Sequence, residues 1–382
     1  MSLTLQAADL APMVAQALGK PSVTLVEWCA QPLAAGGSQM VGGLGIQRVT
    51  GMAQTDEGIL PWSLILKALQ GGGALASDDP GAWNYWQREA LAYQSGLLAQ
   101  LPGGVVAPRC YAIQEQADRS VWLWLEEIHS SAGLWTLADH ALAARHLGQF
   151  NGAYLAGHPL PSPQPWMTWG RTRQWVDFTR PYVERSVQWA ETPIGRRWLG
   201  QVGLARVYKL WSQTARLLQA FERLPVCYCH HDAFCRNLLP RTRPDGQRET
   251  VAIDWALTGY GRIGEEIGVT IAVALEFLDV SIDQARELDQ AVFAGYLDGL
   301  HDTGWRGDAR LARLGCTTNA FIVTGLMWNL FFLEQLQQPA GRELLSGMIK
   351  RPFDDIVAHY AEMFAFLFDL GDEGLALLDT IS

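Results

Sequence analysis

One segment in the second half of the chain constrains its fold more than any other. His230, Asp232 and Asn237 follow a short apolar run with the spacing H-x-D-x-x-x-x-N. A second apolar run ends at Asp254, in the sequence Ile-Asp-Trp. Pro-Asp-Gly at 244–246 lies between the two runs and is typical of a hairpin turn. The sequence therefore predicts a strand, a tight loop and a β-hairpin that returns Asp254 to the side of Asp232 and Asn237.

The two aspartates suit different tasks in phosphoryl transfer. Asp232 shares a tight loop with Asn237 and is the candidate for orienting and deprotonating an attacking hydroxyl. Asp254 and the amide oxygen of Asn237 are the candidates for holding Mg²⁺ against nucleotide phosphates. His230 is predicted to pack behind the loop and to hold its backbone. The alternative is a turn with incidental polar residues, because a short pattern of this kind also occurs by chance.

The motifs at 230–237 and 253–255 resemble those of the aminoglycoside phosphotransferase-like branch of the protein-kinase-like fold. That branch carries H-x-D-x-x-x-x-N and then I-D-W or I-D-F, whereas eukaryotic protein kinases carry D-F-G and a later A-P-E. The resemblance implies an α+β, bilobal fold, with a small antiparallel-sheet N-lobe at 1–126 that binds nucleotide and a mostly helical C-lobe at 127–382. Glu266 matches an acidic residue that begins a helix in that branch, which implies a structural role.

A chain of this type should carry a glycine-rich hairpin, a strand lysine and a helix glutamate before the loop, in that order. The sequence predicts strands at 24–28, 46–50 and 61–67, and the last of them ends in Lys67. A helix predicted over 83–98 contains Glu89. An ammonium group on an apolar strand needs a partner or a phosphate, and Glu89 is the predicted partner. Solvent at the strand end is the alternative for Lys67, and a solvated helix face is the alternative for Glu89.

Glycines in the turn between the first two strands are candidates for contact with phosphate. Small residues let backbone N–H groups come close to a phosphate, and Gly42, Gly43 and Gly45 are the first choice. The group at 36–38 is the alternative, since the pattern does not match G-x-G-x-x-G cleanly.

A strand predicted at 121–125 leads into the position that is the hinge in kinase-like proteins, where backbone groups meet adenine. Glu127 and Ile128 are the candidate residues there. The following sequence is mostly helical in pattern, with a long helix predicted from Leu134 to Leu155. The segments 160–222 and 279–380 are expected to build the acceptor pocket, and Trp166, Trp169 and Trp175 are candidates for lining it, with core packing as their alternative.

Composition and charge limit the partners. The charged fraction of 18% is low, which argues against a disordered chain. The net charge of −10 disfavours nucleic acid and would suit a cationic acceptor by electrostatic complementarity. Acidic residues in the later helices are the candidate contacts for such a cation, with a solvated helix face as the alternative: Asp279, Asp283, Glu287, Asp289, Asp298 and Asp302.

The cysteines and the first residues favour a cytoplasmic enzyme. Cys227 and Cys229 alternate on a predicted strand, which fits a reducing compartment. A zinc site at 227–235 is disfavoured because C-x-C-H-H-x₃-C lacks the paired C-x₂-C of structural zinc. Residues 1–20 lack a signal-peptide pattern, and the apolar run 316–333 suits a buried helix better than a membrane span. We expect a monomer or homodimer without a membrane or nucleic-acid partner.

The lead hypothesis is transfer of the γ-phosphate of ATP (or GTP), with Mg²⁺, to a hydroxyl of a small molecule. An aminoglycoside, another antibiotic, a sugar or an amino alcohol would all fit the resemblance. A catalytically inactive nucleotide-binding module is disfavoured by the presence of Lys67, Asp232 and Asp254. A protein kinase is disfavoured because A-P-E is missing. The sequence does not choose the acceptor or the nucleotide.

Overall fold

The computed structural model describes residues 5–33, 43–73, 76–129 and 135–381. Its N-terminal part is a five-stranded antiparallel sheet. A short β4, Val105–Val106, lies outside this sheet and pairs with a later strand. The strands of the sheet are β1 Thr24–Leu33, β2 Gly43–Thr55, β3 Gly58–Leu69, β5 Cys110–Glu115 and β6 Val121–Glu126. They lie side by side in the order β1-β2-β3-β6-β5.

Helix α1, Ala7–Leu18, covers one face of this sheet. Side chains alternate between the two faces of a strand, so Leu64 and Leu66 of β3 pack with Leu10 and Val14 of α1. Gly19 ends the helix with a φ of 64° and closes it by backbone hydrogen bonds. The same alternation turns the side chain of Lys67 to the opposite face.

The helix predicted over 83–98 is shorter in the structure. Helix α2 is Arg88–Gln94, and a separate 3₁₀ turn follows at Leu97–Gln100. The residues before α2 form turns because the carbonyl oxygens of Ala82 and Trp83 accept hydrogen bonds from the buried guanidinium of Arg88. Backbone N–H groups in this segment make turn bonds, such as that of Tyr85 to the carbonyl of Ala82 at 3.2 Å, and Glu89 remains on the helix as predicted.

The rest of the chain is mostly helical. Helix α3 begins at Leu137, three residues later than predicted, because Thr136 and Asp139 form a capping box. A π-helical stretch, Ala320–Trp328, joins two of the later helices. The helices are α3 Leu137–Leu155, α4 Arg171–Ala190, α5 Pro193–Leu199, α6 Gly203–Trp211, α7 Thr214–Phe221, α8 Glu265–Glu276, α9 Ala285–Asp302, α10 Ala309–Asn319, α11 Asn329–Gln335, α12 Pro339–Ile349 and α13 Phe353–Leu378.

Four strands interrupt the helices, at the position that the motif predicts: β7 Val226–Cys229, β8 Leu238–Thr242, β9 Arg248–Ala252 and β10 Gly259–Arg262. Strands β8 and β9 form the predicted antiparallel hairpin, β10 pairs with β7, and β4 pairs with β9. The α+β fold class, with an antiparallel sheet first and helices after it, is confirmed.

The helical run Ala309–Gln335 is long and apolar enough, by composition, to cross a membrane. Of its most apolar window, 89% is buried inside the protein. The residues 316–333, predicted to form a buried core helix, lie within this run and are almost all buried.

Candidate active site

His230 holds the loop between β7 and β8 from behind, as predicted. Its Nδ1 accepts a hydrogen bond from the backbone N–H of Asp232 at 3.1 Å, so the proton is on Nε2, which donates to the carbonyl of Ile253 at 2.9 Å. Burial lowers the pKa of His230 to about 4, which keeps the ring neutral. The ring therefore joins the residue before Asp254 to the backbone of Asp232.

Glu266, in the first turn of α8, binds the same loop from a second side. Its Oε1 accepts hydrogen bonds from the backbone N–H groups of His230 and His231, and its Oε2 accepts one from Asn151 at 2.8 Å. Asn151, on α3, is in turn bound by the hydroxyl of Tyr296 at 2.8 Å. These contacts fit the structural role expected of Glu266. The sequence did not indicate Asn151 or Tyr296, because a single polar residue within a helical pattern carries no such signal.

The loop brings Asp232 and Asn237 into contact. Nδ2 of Asn237 donates to Oδ2 of Asp232 at 2.8 Å and to its backbone carbonyl at 3.0 Å. Burial, followed by the nearby charge of Asp254, raises the pKa of Asp232 to about 7. The backbone carbonyl of Asn237 accepts from Ile253 at 2.9 Å, so the hairpin brings Asp254 to the same place.

Lys67 lies between two carboxylates. Its Nζ is 2.6 Å from Oε2 of Glu89, the predicted partner, and 2.8 Å from Oδ1 of Asp254. Burial alone would lower the pKa of Lys67, but the charges of Asp254 and Glu89 outweigh it and hold the pKa above its ordinary value. Glu89 also accepts a hydrogen bond from the backbone N–H of Trp255 at 3.3 Å. Helix α2 therefore contacts both the strand lysine and the residue after Asp254.

Asp254 and Asn237 both carry side-chain oxygen atoms close to Asp232. Asp254 adopts a left-handed backbone, with a φ of 63°, and keeps 27% of its side chain exposed. The amide nitrogen of Asn237 is used by Asp232, and its Oδ1 accepts no hydrogen bond from the described residues. Oxygen ligands suit a hard divalent cation, so these residues fit one. In the described ranges, no group of three or more His, Cys, Asp or Glu side chains could hold a metal ion.

Gly43 and Gly45 lie at the start of β2, beside the end of β3. Gly45 pairs with Ala68, next to Lys67, and the strand register shifts between the two glycines. Gly45 has a φ of 152°, which side chains other than glycine rarely allow. Gly42 and the alternative group at 36–38 lie outside the described residues.

Glu127 and Ile128 directly follow β6. The side chain of Glu127 is only 5% exposed and pairs with Arg48 of β2 at 2.5 Å. Ile128 is partly buried in the irregular segment that follows the strand. The ion pair with Arg48 was not predicted, and it occupies the carboxylate of Glu127.

The tryptophans and acidic residues expected in the acceptor pocket differ in their surroundings. Trp169 lines a cavity of about 280 Å³, whereas Trp166 and Trp175 are buried. Three of the carboxylates expected to receive a cationic acceptor are held by arginines: Asp279 by Arg236, Asp289 by Arg313 and Asp302 by Arg145.

The sequence matches the model of a known family, and the fold matches those of solved structures. A family model described as "Phosphotransferase enzyme family" covers residues 77–311. No curated protein matches the chain. The crystal structure of an aminoglycoside phosphotransferase from Alicyclobacillus acidocaldarius is 13% identical, with a TM-score of 0.54 and 98% of each chain covered. That of a choline kinase from Cryptosporidium parvum is 12% identical, with a TM-score of 0.54 and 92% of each chain covered.

At these identities the two structures show the fold alone, which is that of the small-molecule kinases with a protein-kinase-like architecture. The family model covers more than half of the chain and includes the whole loop and hairpin that hold Asp232, Asn237 and Asp254. The chain therefore belongs to the phosphotransferase enzyme family and is an ATP-dependent phosphotransferase that acts on a small-molecule hydroxyl.

Proposed function

We propose that the protein transfers the γ-phosphate of ATP, with Mg²⁺, to a hydroxyl of a small acceptor bound beside Asp232. The observation that carries the proposal is the convergence of Lys67, Asp232 and Asp254. Lys67 contacts Asp254, Asn237 contacts Asp232, and the backbone of Ile253 joins the two pairs. This is a base, a cation-binding pair and a phosphate-binding lysine within one site.

Each side chain has a role that follows from its contacts. Asp232 takes the proton of the acceptor hydroxyl and is oriented by Nδ2 of Asn237. Asp254 and Oδ1 of Asn237 would hold the divalent cation, which supplies positive charge to the nucleotide phosphates. Lys67 binds phosphate oxygens and is itself positioned by Glu89.

The nucleotide is proposed to lie between the sheet at 1–126 and the helical part at 127–382. Gly43 and Gly45 begin the strand that pairs with the strand of Lys67, which would place their N–H groups near the phosphates. The backbone of Glu127 and Ile128, just after β6, would meet the base. GTP is the alternative nucleotide, because no described side chain in this segment selects adenine.

The acceptor is proposed to be a small polar compound. The structures that share the fold are of an aminoglycoside phosphotransferase and a choline kinase, which supports this class. A protein kinase and an inactive nucleotide-binding module are the alternatives. The contact of Asp232 with Asn237 and that of Lys67 with Asp254 favour an active enzyme.

The test is Mg²⁺-dependent ADP release with a panel of aminoglycosides, other antibiotics, sugars, amino alcohols and hydroxy acids. Release that depends on one acceptor and is lost in Asp232→Asn would support the proposal. Asp245→Asn is the matched control, since that carboxylate lies on the exposed hairpin turn and should leave the rate unchanged. Acceptor-dependent release that persists in Asp232→Asn would contradict the assignment of the base, and phosphate recovered on a protein would favour the protein kinase.

A further inference from the structure

The guanidinium of Arg171 is a buried cation without a hydrogen bond. Arg171 is the first residue of α4 and is 4% exposed. Its Nε and Nη1 are fully buried, and the group makes no hydrogen bond or ion pair with any residue in the described parts of the chain. Arg171 lines the cavity of about 280 Å³ that Trp169 also lines, so a ligand in that cavity can reach it. A buried unpaired charge costs stability, which indicates that Arg171 serves another purpose.

Arg171 lies beside the loop that carries Asp232. The next residue, Thr172, donates a hydrogen bond to Oε1 of Glu265 at 2.8 Å. That oxygen is 3.8 Å from Nδ1 of His231, the residue before Asp232. The positive charge of Arg171 acts on the carboxyl group of Asp232 and lowers its pKa, against the effect of burial.

A second chain of contacts leads from Arg171 to the segment after Asp254. The guanidinium stacks over the ring of Trp175 at 5.2 Å, and that ring is 4.7 Å from the ring of Trp83. The carbonyl of Trp83 accepts a hydrogen bond from Arg88, which also donates to the carbonyl of Ala256. Arg171 is therefore linked through its neighbours to both segments that supply the proposed base and the proposed cation ligand.

Partly exposed aromatic rings continue from Trp175. We define the aromatic wall as Trp83, Trp175, Phe178, Trp328 and Phe331. Trp328 is 6.0 Å from Trp175 and 5.6 Å from Phe331, between ring centroids. All of the wall except Trp175 is partly exposed. Trp328 ends the π-helical stretch, and irregular helix of this kind is frequent at functional sites.

Asp232 and Glu265 carry the carboxylates that act on the charge of Arg171. Two other groups that could attract a cation are already occupied. The face of Trp175, which could attract a cation, is already occupied by Arg171. Asp279, which could attract a cation, is bound by both nitrogens of the Arg236 fork. Glu276 is the exception: it is 5% exposed, and its carboxyl group has no partner among the described side chains. It supplies the competing hypothesis of a cationic acceptor.

We propose that Arg171 binds a carboxylate or phosphate group of the acceptor while the aromatic wall contacts the acceptor's apolar body. This inference rests on the proposed function and narrows it. The acceptor is a hydroxyl compound with an anionic group on an apolar or aromatic frame. A guanidinium suits such a group because its nitrogens match the geometry of a carboxylate or phosphate.

The test compares two acceptors of similar size and shape, one anionic and one neutral: 3-(hydroxymethyl)benzoate and 3-(hydroxymethyl)benzamide. In the wild-type enzyme we expect the benzoate to have a KM at least about tenfold lower, as is usual for a hydrogen bond to a charged group. Arg171→Met should remove this difference, and Arg171→Lys should restore part of it. Arg180→Met is the matched control, because Arg180 is an exposed residue of the same helix.

Binding gives a second readout that does not need turnover. With MgADP saturating the nucleotide site, the benzoate should raise the melting temperature of the wild type more than the benzamide does. Arg171→Met should abolish the difference without lowering the melting temperature of the free protein, since it removes an unpaired charge. If that variant does not fold, the wild-type comparison alone decides, and equal effects of the two compounds would overturn the inference.

The competing hypothesis has its own result. Preference for 3-(hydroxymethyl)benzylamine, lost in Glu276→Gln and unaffected in Arg171→Met, would overturn the inference in favour of a cationic acceptor. If that turnover were lost in Asp232→Asn, the proposed function would still hold. Anion binding that depends on Arg171, without phosphoryl transfer to any acceptor, would instead contradict the proposed function and support the anion site.

Discussion

The ammonium group of Lys67 lies 2.8 Å from the carboxylate of Asp254, although 187 positions separate the two residues in the chain. The contact joins the third strand of the sheet to the end of the hairpin that follows the loop carrying Asp232. Glu89 completes the group at 2.6 Å. One buried cation therefore holds together two carboxylates from distant parts of the chain.

Replacing Lys67 should lower both stability and activity. Lys67→Met leaves Glu89 and Asp254 close together without their cation, and removing one partner of a buried ion pair costs about 3 kcal/mol. Urea unfolding should show this loss, and acceptor-dependent ADP release should fall to background. Lys209→Met is the control, because Lys209 is exposed and its ion pair is long. A Lys67→Met protein as stable as the wild type would show that the pair contributes no net stability.

Asp254→Ala should remove the dependence of nucleotide binding on Mg²⁺. The reason is the loss of one of the two oxygen ligands proposed for the cation. Isothermal titration calorimetry with ATP, in the presence and absence of Mg²⁺, measures the effect directly. Asp245→Ala should behave like the wild type. Equal enhancement of ATP binding by Mg²⁺ in the Asp254→Ala variant and the wild type would contradict the assignment of the cation ligand.

His230 should contribute stability at neutral pH that is lost in acid. Its pKa is lowered by burial to about 4 in the folded protein, whereas an unfolded histidine titrates near 6.5, so the unfolded state binds more protons between these values. Stability should therefore fall as the pH falls through this window. Denaturant unfolding of His230→Asn and the wild type between pH ~4 and ~7 should show a shallower slope for the variant. Identical slopes would contradict the burial of a neutral ring.

Glu276 should have the opposite effect. Burial, followed by the charge of Asp232, raises the pKa of Glu276 to about 8. The folded state then holds a proton that the unfolded state has released, so stability should fall by about 1 kcal/mol per pH unit as the pH rises from ~5 to ~8. Glu276→Gln should be less dependent on pH over this range. The unfolding free energies of the two proteins, measured at intervals of pH, give the test.

The loop at 230–237 and the hairpin after it could be predicted because the sequence patterns that indicate them are local. The spacing from His230 to Asn237 fixes a tight loop, and Pro-Asp-Gly fixes the turn that returns Asp254. The pairing of Lys67 with Glu89 followed from their order and from the need of a buried ammonium group for a partner.

Other features depend on contacts that no local pattern announces. The bond of Glu266 to Asn151 joins two helices more than a hundred residues apart, and the isolated cation of Arg171 is apparent only when its neighbours are known. The helix over 83–98 was predicted too long because its periodicity continues through the turns before α2, where the carbonyl of Trp83 is bound by Arg88. Asp279, Asp289 and Asp302 were candidates for binding a cationic acceptor because the sequence does not show that arginines pair with them.

Arg88 and Glu89 are adjacent in the chain, but their side chains bind different groups. Arg88 donates to carbonyls at Trp83, Trp166 and Ala256, whereas Glu89 binds the ammonium group of Lys67. The dipeptide therefore joins the strand of Lys67 to the segment after Asp254. A displacement of helix α2 would therefore disturb the partner of Lys67 and the support of the segment after Asp254 together.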